Sequence, residues 1–278
     1  MIMEFLFLII TSAGANTLLM PASARGMLTY YSRSIGDEAI FYNPAIFTAQ
    51  DDYHVTLFYT KVYASMRNLN LGLSKRFKDF DLGLNIMNFD YGEIEARPEY
   101  PTEDSTGFYT GSDFSIGICG ARNISTNGRI GIKAKYIYEN LYIYSGGTLG
   151  IDLSIAYINE KSGLTAGGSN LGGQIKIGNE PINLPAKLSL GYYHSIKEFC
   201  ISFDLHYLIN TNTFESSVGG EVKWGNNLET GISINYRDHF YPGFYLGISN
   251  GKISIKYGSA IYPYDLGMVN TLGIGFIF

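Results

Sequence analysis

Leu228-Glu229-Thr230-Gly231-Ile232-Ser233-Ile234-Asn235-Tyr236-Arg237 is the stretch that decides how this chain folds. Leu228, Thr230, Ile232, Ile234 and Tyr236 alternate with Glu229, Gly231, Ser233, Asn235 and Arg237, the period of a strand with one apolar and one polar face. The same alternation sets Phe199, Ile201, Phe203, Leu205 and Tyr207 against Cys200, Ser202, Asp204 and His206. It sets Leu149, Ile151, Leu153, Ile155 and Tyr157 against Gly150, Asp152, Ser154 and Ala156, and Ile253, Ile255 and Tyr257 against Lys252, Ser254 and Lys256. Working outward from these, strands are expected at 53–61, 67–76, 80–90, 111–122, 128–139, 147–158, 163–170, 186–195, 198–208, 215–224, 227–236, 242–249, 252–259 and 269–278.

The connections alternate too. Lys78-Asp79, Ser125 to Gly128, Asn159 to Ser162, Ile196-Lys197, Gly225 to Asn227 and Asn250-Gly251 read as tight turns, the last a strong hairpin signal. Between them lie longer links at 61–67, 91–110, 139–146, 171–185, 209–214, 237–241 and 260–268. Short turns at one end and longer loops at the other describe a transmembrane antiparallel up-and-down β-barrel of about fourteen strands, with the short turns in the periplasm.

Composition agrees. Charged residues make up 16% of the 278, against roughly 25% in soluble domains, so something other than water covers much of the surface. The 23 tyrosines and 17 phenylalanines suit aromatic girdles at the membrane interfaces. A net charge of −5 offers no basic patch to displace the counterions of a nucleic acid, which excludes that partner. Beyond the N-terminus no apolar run approaches the ~18 residues of a spanning helix, which leaves a closed barrel as the way across a bilayer.

Ahead of the barrel, Ile2 to Ile10 form an apolar core and Ala13-Gly14-Ala15 a small-x-small site, the pattern of a signal peptide over 1–15 cut after Ala15, although Glu4 stands where a basic residue is usual. Residues 16–52 do not alternate, and we expect them to form a hatch or plug in a lumen too wide for wall side chains to fill; the alternative is a periplasmic tail. Residues 53–278 are then the barrel. Its last strand closes on Phe276 and Phe278, an aromatic ending of the kind the barrel assembly machinery reads.

Several motifs resemble, in order, those of the PorV/PorQ family of outer-membrane proteins, related to the FadL-type fatty-acid channels. They are Ala24-Arg25-Gly26-Met27, Asp37-Glu38-Ala39 and Phe41-Tyr42-Asn43-Pro44-Ala45, then Asp90 to Glu95, Ala134 to Glu139, Ser169 to Gly173 and Tyr262 to Gly267. The family's glycine-rich stretch is here Leu28-Thr29-Tyr30-Tyr31-Ser32, and its Asn-Pro-Ala-Gly has become Asn43-Pro44-Ala45-Ile46. The resemblance implies a barrel of about fourteen strands and a hatch carrying Arg25, Gly26, Met27, Asp37, Asn43, Pro44 and Ala45. For the PorV members it also implies a part in type IX secretion, binding secreted cargo and passing it to an attachment complex. The partners expected are outer-membrane lipid, secreted cargo, secretion-complex subunits and the assembly machinery. The alternatives are a FadL-like passage for hydrophobic small molecules and a structural barrel.

Nothing in the sequence assembles a catalytic or metal site. His54, His194, His206 and His239 are scattered singly, and His194 and Ser195, though adjacent, point to opposite faces of a strand. No cofactor, metal or catalysis is expected. Cys119 and Cys200 fall on strands that are not neighbours and are expected to be free thiols facing the lumen. If the aliphatics face lipid, then Arg129, Lys133, Lys135, Asp152, Asp204, Glu221, Lys223, Glu229, Arg237, Lys252 and Lys256 project inward. Charges of both signs need water, a polar plug or each other, so the lumen is wet, plugged, or braced by a salt-bridge lattice. The loops 91–110 and 171–185 are the candidates for partner contact, the first acidic through Glu93, Glu95, Glu99, Glu103 and Asp104 against Arg97, the second suited to pack over the mouth.

Overall fold

A computed structural model describes residues 15–33, 36–63, 65–96, 107–178, 180–263 and 267–278. The signal segment 1–14, the loop residues Arg97, Glu99, Glu103 and Asp104, and Tyr264 to Leu266 of the last family motif lie outside the described residues.

Fourteen antiparallel strands close into a barrel. They are β1 (His54–Lys61), β2 (Arg67–Phe77), β3 (Phe80–Ala96), β4 (Gly107–Asn123), β5 (Gly128–Leu141), β6 (Tyr144–Ile158) and β7 (Ser162–Gly172), then β10 (Lys187–Ile196), β11 (Phe199–Leu208), β12 (Thr213–Trp224), β13 (Leu228–Arg237), β14 (His239–Ser249), β15 (Ile253–Tyr262) and β16 (Gly267–Ile277). Each strand pairs with its neighbour in the chain order of the barrel, β7 pairs with β10, and β1 pairs with both β2 and β16, so no wall strand is left with an open edge. Between β7 and β10, the stretch 171–185 folds into a hairpin, β8 (Gln174–Ile177) with β9 (Glu180–Asn183), which the alternation did not reveal.

Alternation decides which face meets lipid. Lys133 is 2% exposed while Ile132 beside it is 51% exposed, and Ile151 and Leu153 stand outward around the buried Asp152. Outward aromatics gather near both ends of the strands, Tyr53, Phe77, Phe80, Phe199 and Trp224 at the tight-turn end, Phe214, Tyr236 and Phe240 at the other.

Two of the links expected to be long are short. β5 and β6 are joined by Tyr142 and Ile143 alone, and β13 and β14 by Asp238 alone. Strands β3 to β6 run for 17, 17, 14 and 15 residues, beyond the ~9–11 that cross a bilayer, so their ends stand in water on both faces. There the apolar–polar contrast that reveals a strand in sequence has no cause, and strand reads as loop. Two irregularities bend the wall: a bulge between Asp90 and Glu93, with Gly92 at φ 71°, and a register shift between Ile151 and Leu153 opposite Asn170, at φ 57°.

The described residues of 15–33 and 36–49 lie inside the ring. The segment holds 3-10 turns at Asn16–Leu19, Arg25–Met27 and Asp37–Phe41 and one α-helical turn at Tyr30–Arg33. Ala24, Ala39, Ala45, Ile46 and Phe47 are wholly buried. It begins beside Glu139, near the loop end of β5, and leaves at the tight-turn end, where the N–H of Arg76 donates to the carbonyl of Gln50 at 2.7 Å.

Candidate functional site

The inward wall and the hatch are built to each other. Glycine permits the closest approaches: a Cβ at Gly131 would fall on the backbone of Pro44, and one at Gly243 on the carbonyl of Met27. Against β5 and β6, the Arg129 guanidinium donates to the carbonyls of Ala45 (2.9 Å) and Phe47 (2.7 Å) and to Asp81 (2.7 Å). Lys133 donates to the carbonyls of Ile40 and Phe41 at 3.1 Å and pairs with Asp152 at 2.9 Å, which also takes Lys135 at 2.8 Å. Asn43 closes a local turn, accepting from the N–H of Ala45 at 3.1 Å and donating to the carbonyl of Tyr31 at 3.0 Å. Asp204 accepts from the N–H groups of Tyr31 (2.8 Å) and Ser32 (2.9 Å), satisfying the helical turn's free donors.

The centre of the arrangement is Arg25. Its guanidinium donates to Glu221 and Glu229 of the wall and to the Tyr245 hydroxyl at 3.1 Å, and it stacks 4.5 Å from the Tyr245 ring centre. Arg33 reaches the other oxygen of Glu221 at 3.2 Å, and Lys256 pairs with Glu38 at 2.7 Å. Burial alone would raise the Asp37 carboxyl, but Lys256 and His54 beside it hold it below the usual carboxylate range. Burial pushes the Tyr42 hydroxyl up; it accepts from the N–H groups of Ala22 (2.8 Å) and Ser23 (2.7 Å).

Of the charges expected to project inward, Arg129, Lys133, Lys135, Asp152, Asp204, Glu221, Glu229 and Lys256 meet the hatch or each other. Lys223 and Arg237 stand at opposite rims, half-exposed, paired with Glu229 (3.3 Å) and Glu215 (2.8 Å). Lys252 falls in the turn before β15, which starts at Ile253; it is exposed there and lines the mouth of the tight-turn-end cavity beside Lys256. Cys119 and Cys200 are free and buried on β4 and β11. Phe278 is 74% exposed; its N–H donates to the carbonyl of Tyr53 at 2.9 Å, holding the end of the chain to the start of β1. Sequence reasoning passed over Arg33, Asp81, Asp113, Glu139, Lys187 and Tyr245. All but Arg33 sit in strands at inward positions, where the same alternation would have found them.

The lumen is divided. Toward the loop end, Met27, Val62, Met66, Phe89 and Val269 pack with Met20 and the rings of Tyr63, Tyr91, Tyr241 and Tyr262. At the tight-turn end two polar cavities of about 260 and 230 Å³ flank Glu229, one lined by Arg25, Asp37, His54 and Lys256, the other by Arg33, Tyr193 and Glu221. Among the described residues no group of His, Cys, Asp or Glu is placed to hold a metal ion. The hairpin β8–β9 leans over the mouth, with Ile175 buried against Ile137, Leu184 and Ala15.

This architecture defines a closed fourteen-stranded transmembrane barrel with its own N-terminal segment inside. Among solved structures it shares its fold with the toluene transporter TbuX of Ralstonia pickettii, at TM-score 0.71 and 10% identity over 92% of this chain and 98% of that one. The CymD monoaromatic hydrocarbon channel aligns at TM-score 0.68 and 13% identity over 97% and 98%. The toluene transporter TodX of Pseudomonas putida aligns at 0.65 and 11% over 96% of each chain. The likeness establishes a FadL-like fold. No family model and no curated protein matches the sequence.

Proposed function

We propose that this protein is a non-enzymatic outer-membrane passage for hydrophobic small molecules of the size of a monoaromatic hydrocarbon. The observation that carries the reading is the cluster of methionines and aromatic rings between the hatch and the loop-end mouth. Thioether chains adapt to apolar guests of varied shape, and the rings offer edges and faces to an aromatic solute. The fold shared with hydrocarbon transporters supports it. The hatch closes the route beyond that cluster, so passage requires the segment around Arg25 to shift.

The test is uptake of radiolabelled toluene by cells or proteoliposomes with and without the protein. Faster uptake that saturates and is blocked by other small aromatics is expected; uptake equal to that of protein-free vesicles sinks the reading. The cargo-binding role implied by the PorV/PorQ resemblance is a second proposal, supported by that resemblance alone, and it makes the opposite forecast: secreted proteins, not aromatic solutes, are retained by the detergent-solubilised barrel.

A further inference from the structure

Inside the loop-end half, Asp113 of β4 and Glu139 of β5 are direct cross-strand partners, and both point into the lumen, 0% and 6% exposed. The other inward carboxylates are provided for. Asp81, Asp152, Glu215, Glu221 and Glu229 each have an Arg or Lys, and Asp204 has two backbone N–H groups. Asp113 and Glu139 have no such cation among the described residues. The hydroxyls of Thr17 and Tyr91 donate to one oxygen of Asp113, while its other oxygen, Oδ1, is buried without a partner. Two carboxylates side by side in a dry site repel, and neither is stable as an anion without a positive charge.

The atom of the chain that meets Glu139 is the backbone nitrogen of Ala15, 3.0 Å from Oε2. Ala15 is itself 1% exposed, and it ends the small-residue stretch Ser12-Ala13-Gly14-Ala15 at which an export signal is expected to be cut. We propose that the leader is cut one residue earlier than the Ala13–Ala15 pair suggests, after Gly14 with Ser12 and Gly14 as the small pair, and that the α-ammonium released on Ala15 is the missing counter-ion of the Asp113–Glu139 pair, so that processing itself fixes the leading end of the hatch inside the barrel. The chemistry balances. Signal peptidase adds water across the peptide bond, the leader departs with the new carboxylate, and the freed amine binds a proton. A neutral N–H with one donor becomes a cation with three, matched to Oε2 of Glu139 and the orphaned Oδ1 of Asp113. The left-handed conformation of Ala15, φ 51°, is costly for a residue with a Cβ while a peptide carbonyl precedes it, and that cost ends with cleavage before it.

The proposal rests on export with removal of the leader and not on what the barrel transports. Intact-mass measurement on protein purified from outer membranes comes first: a chain starting at Ala15 is expected, and any other start, Asn16 included, overturns the idea. The second measurement is the heat-induced mobility shift of the folded barrel in SDS gels, for four proteins. These are the wild type, a form with Gly-Ser inserted at the mature N-terminus, the Asp113→Asn/Glu139→Gln double variant, and the double variant with the insertion, each start confirmed by mass. Displacing the ammonium should lower the midpoint of the wild-type barrel by on the order of 5–10 °C and leave the double variant's midpoint unchanged. An equal drop in both backgrounds, or none in either, overturns the proposal. Should the double variant fail to fold, Glu139→Gln alone takes its place in the cycle. Neither measurement involves permeation, so the transport reading and this one stand or fall separately.

Discussion

Arg25 and Met27 are two residues apart in one 3-10 turn, yet they belong to opposite halves of the lumen. Toward the tight turns, charge is added to the apolar seat that Ile40, Ile46 and Phe47 make on Cys119, Ala121 and Ala156: Arg25 on Glu221 and Glu229, Arg33 on Glu221, Lys256 on Glu38, Arg129 on the carbonyls of Ala45 and Phe47. Toward the loops Met27 and Met20 pack against Met66, Phe89 and Val269, while the leading end of the segment is tied through the Thr17 hydroxyl and the Ala15 N–H to Asp113 and Glu139. The two kinds of contact fail differently. A buried guanidinium between two carboxylates is strong only while its geometry holds, whereas apolar contacts weaken gradually and accept a different guest. A short segment thus has a fixed foot and a yielding head, the arrangement a plug needs if it is to close the passage and still give way beside a ligand.

The largest test of this contrast removes the segment. Deletion of residues 16–45 takes away both halves at once, and a ring of fourteen strands is too wide to be closed by its wall side chains. Single-channel conductance in planar bilayers should rise by an order of magnitude or more over the intact barrel; unchanged conductance would falsify the plug. Next comes the foot alone. Arg25→Met keeps the bulk but leaves Glu221 and Glu229 short of a buried cation, a loss of about 3 kcal/mol when one partner of such a group is removed. Arg33 and Lys223 remain beside the two carboxylates and keep the loss from being larger. The expected signature is intermittent opening from a closed baseline, together with protease cleavage within residues 28–48. A variant as silent and protected as the wild type would show that packing alone seats the hatch.

How far the sequence foretold this arrangement depends on where water and lipid lie. Within the bilayer each strand separates two media, and the resulting alternation, as in Leu228 to Arg237, located all fourteen wall strands within a few residues of their ends. Above it, the ends of β3 to β6 carry no such signal, so Tyr142-Ile143 was taken for part of a longer loop, as was Asp238 between β13 and β14; the hairpin β8–β9, with four-residue strands and Ile175 as its buried side chain, is too short to show the alternation. The hatch was legible only as a stretch that fails to alternate. Its contacts join Arg25 to Glu221 and Lys256 to Glu38 across about two hundred positions, and no local pattern in residues 16–52 names those partners. Inward charge could be read from the strand phase, but which charge meets hatch backbone and which meets another charge could not, because that depends on the path of the hatch through the lumen.

The smallest test addresses the yielding head. Met66 is 9% exposed, at the loop-end edge of the apolar cluster, with Met27 and Val269 in the same group. Met66→Leu conserves volume and polarity, so stability should change by less than about 1.5 kcal/mol. What it removes is the unbranched thioether's freedom to rearrange around a solute. The forecast is therefore a split: a mobility-shift midpoint close to that of the wild type, with toluene uptake slowed a few-fold and the loss greatest for the bulkiest aromatics. If uptake is unaffected for solutes of every size, the cluster is ordinary core that caps the hatch. The adaptable half of the comparison would then have to be sought elsewhere along the wall.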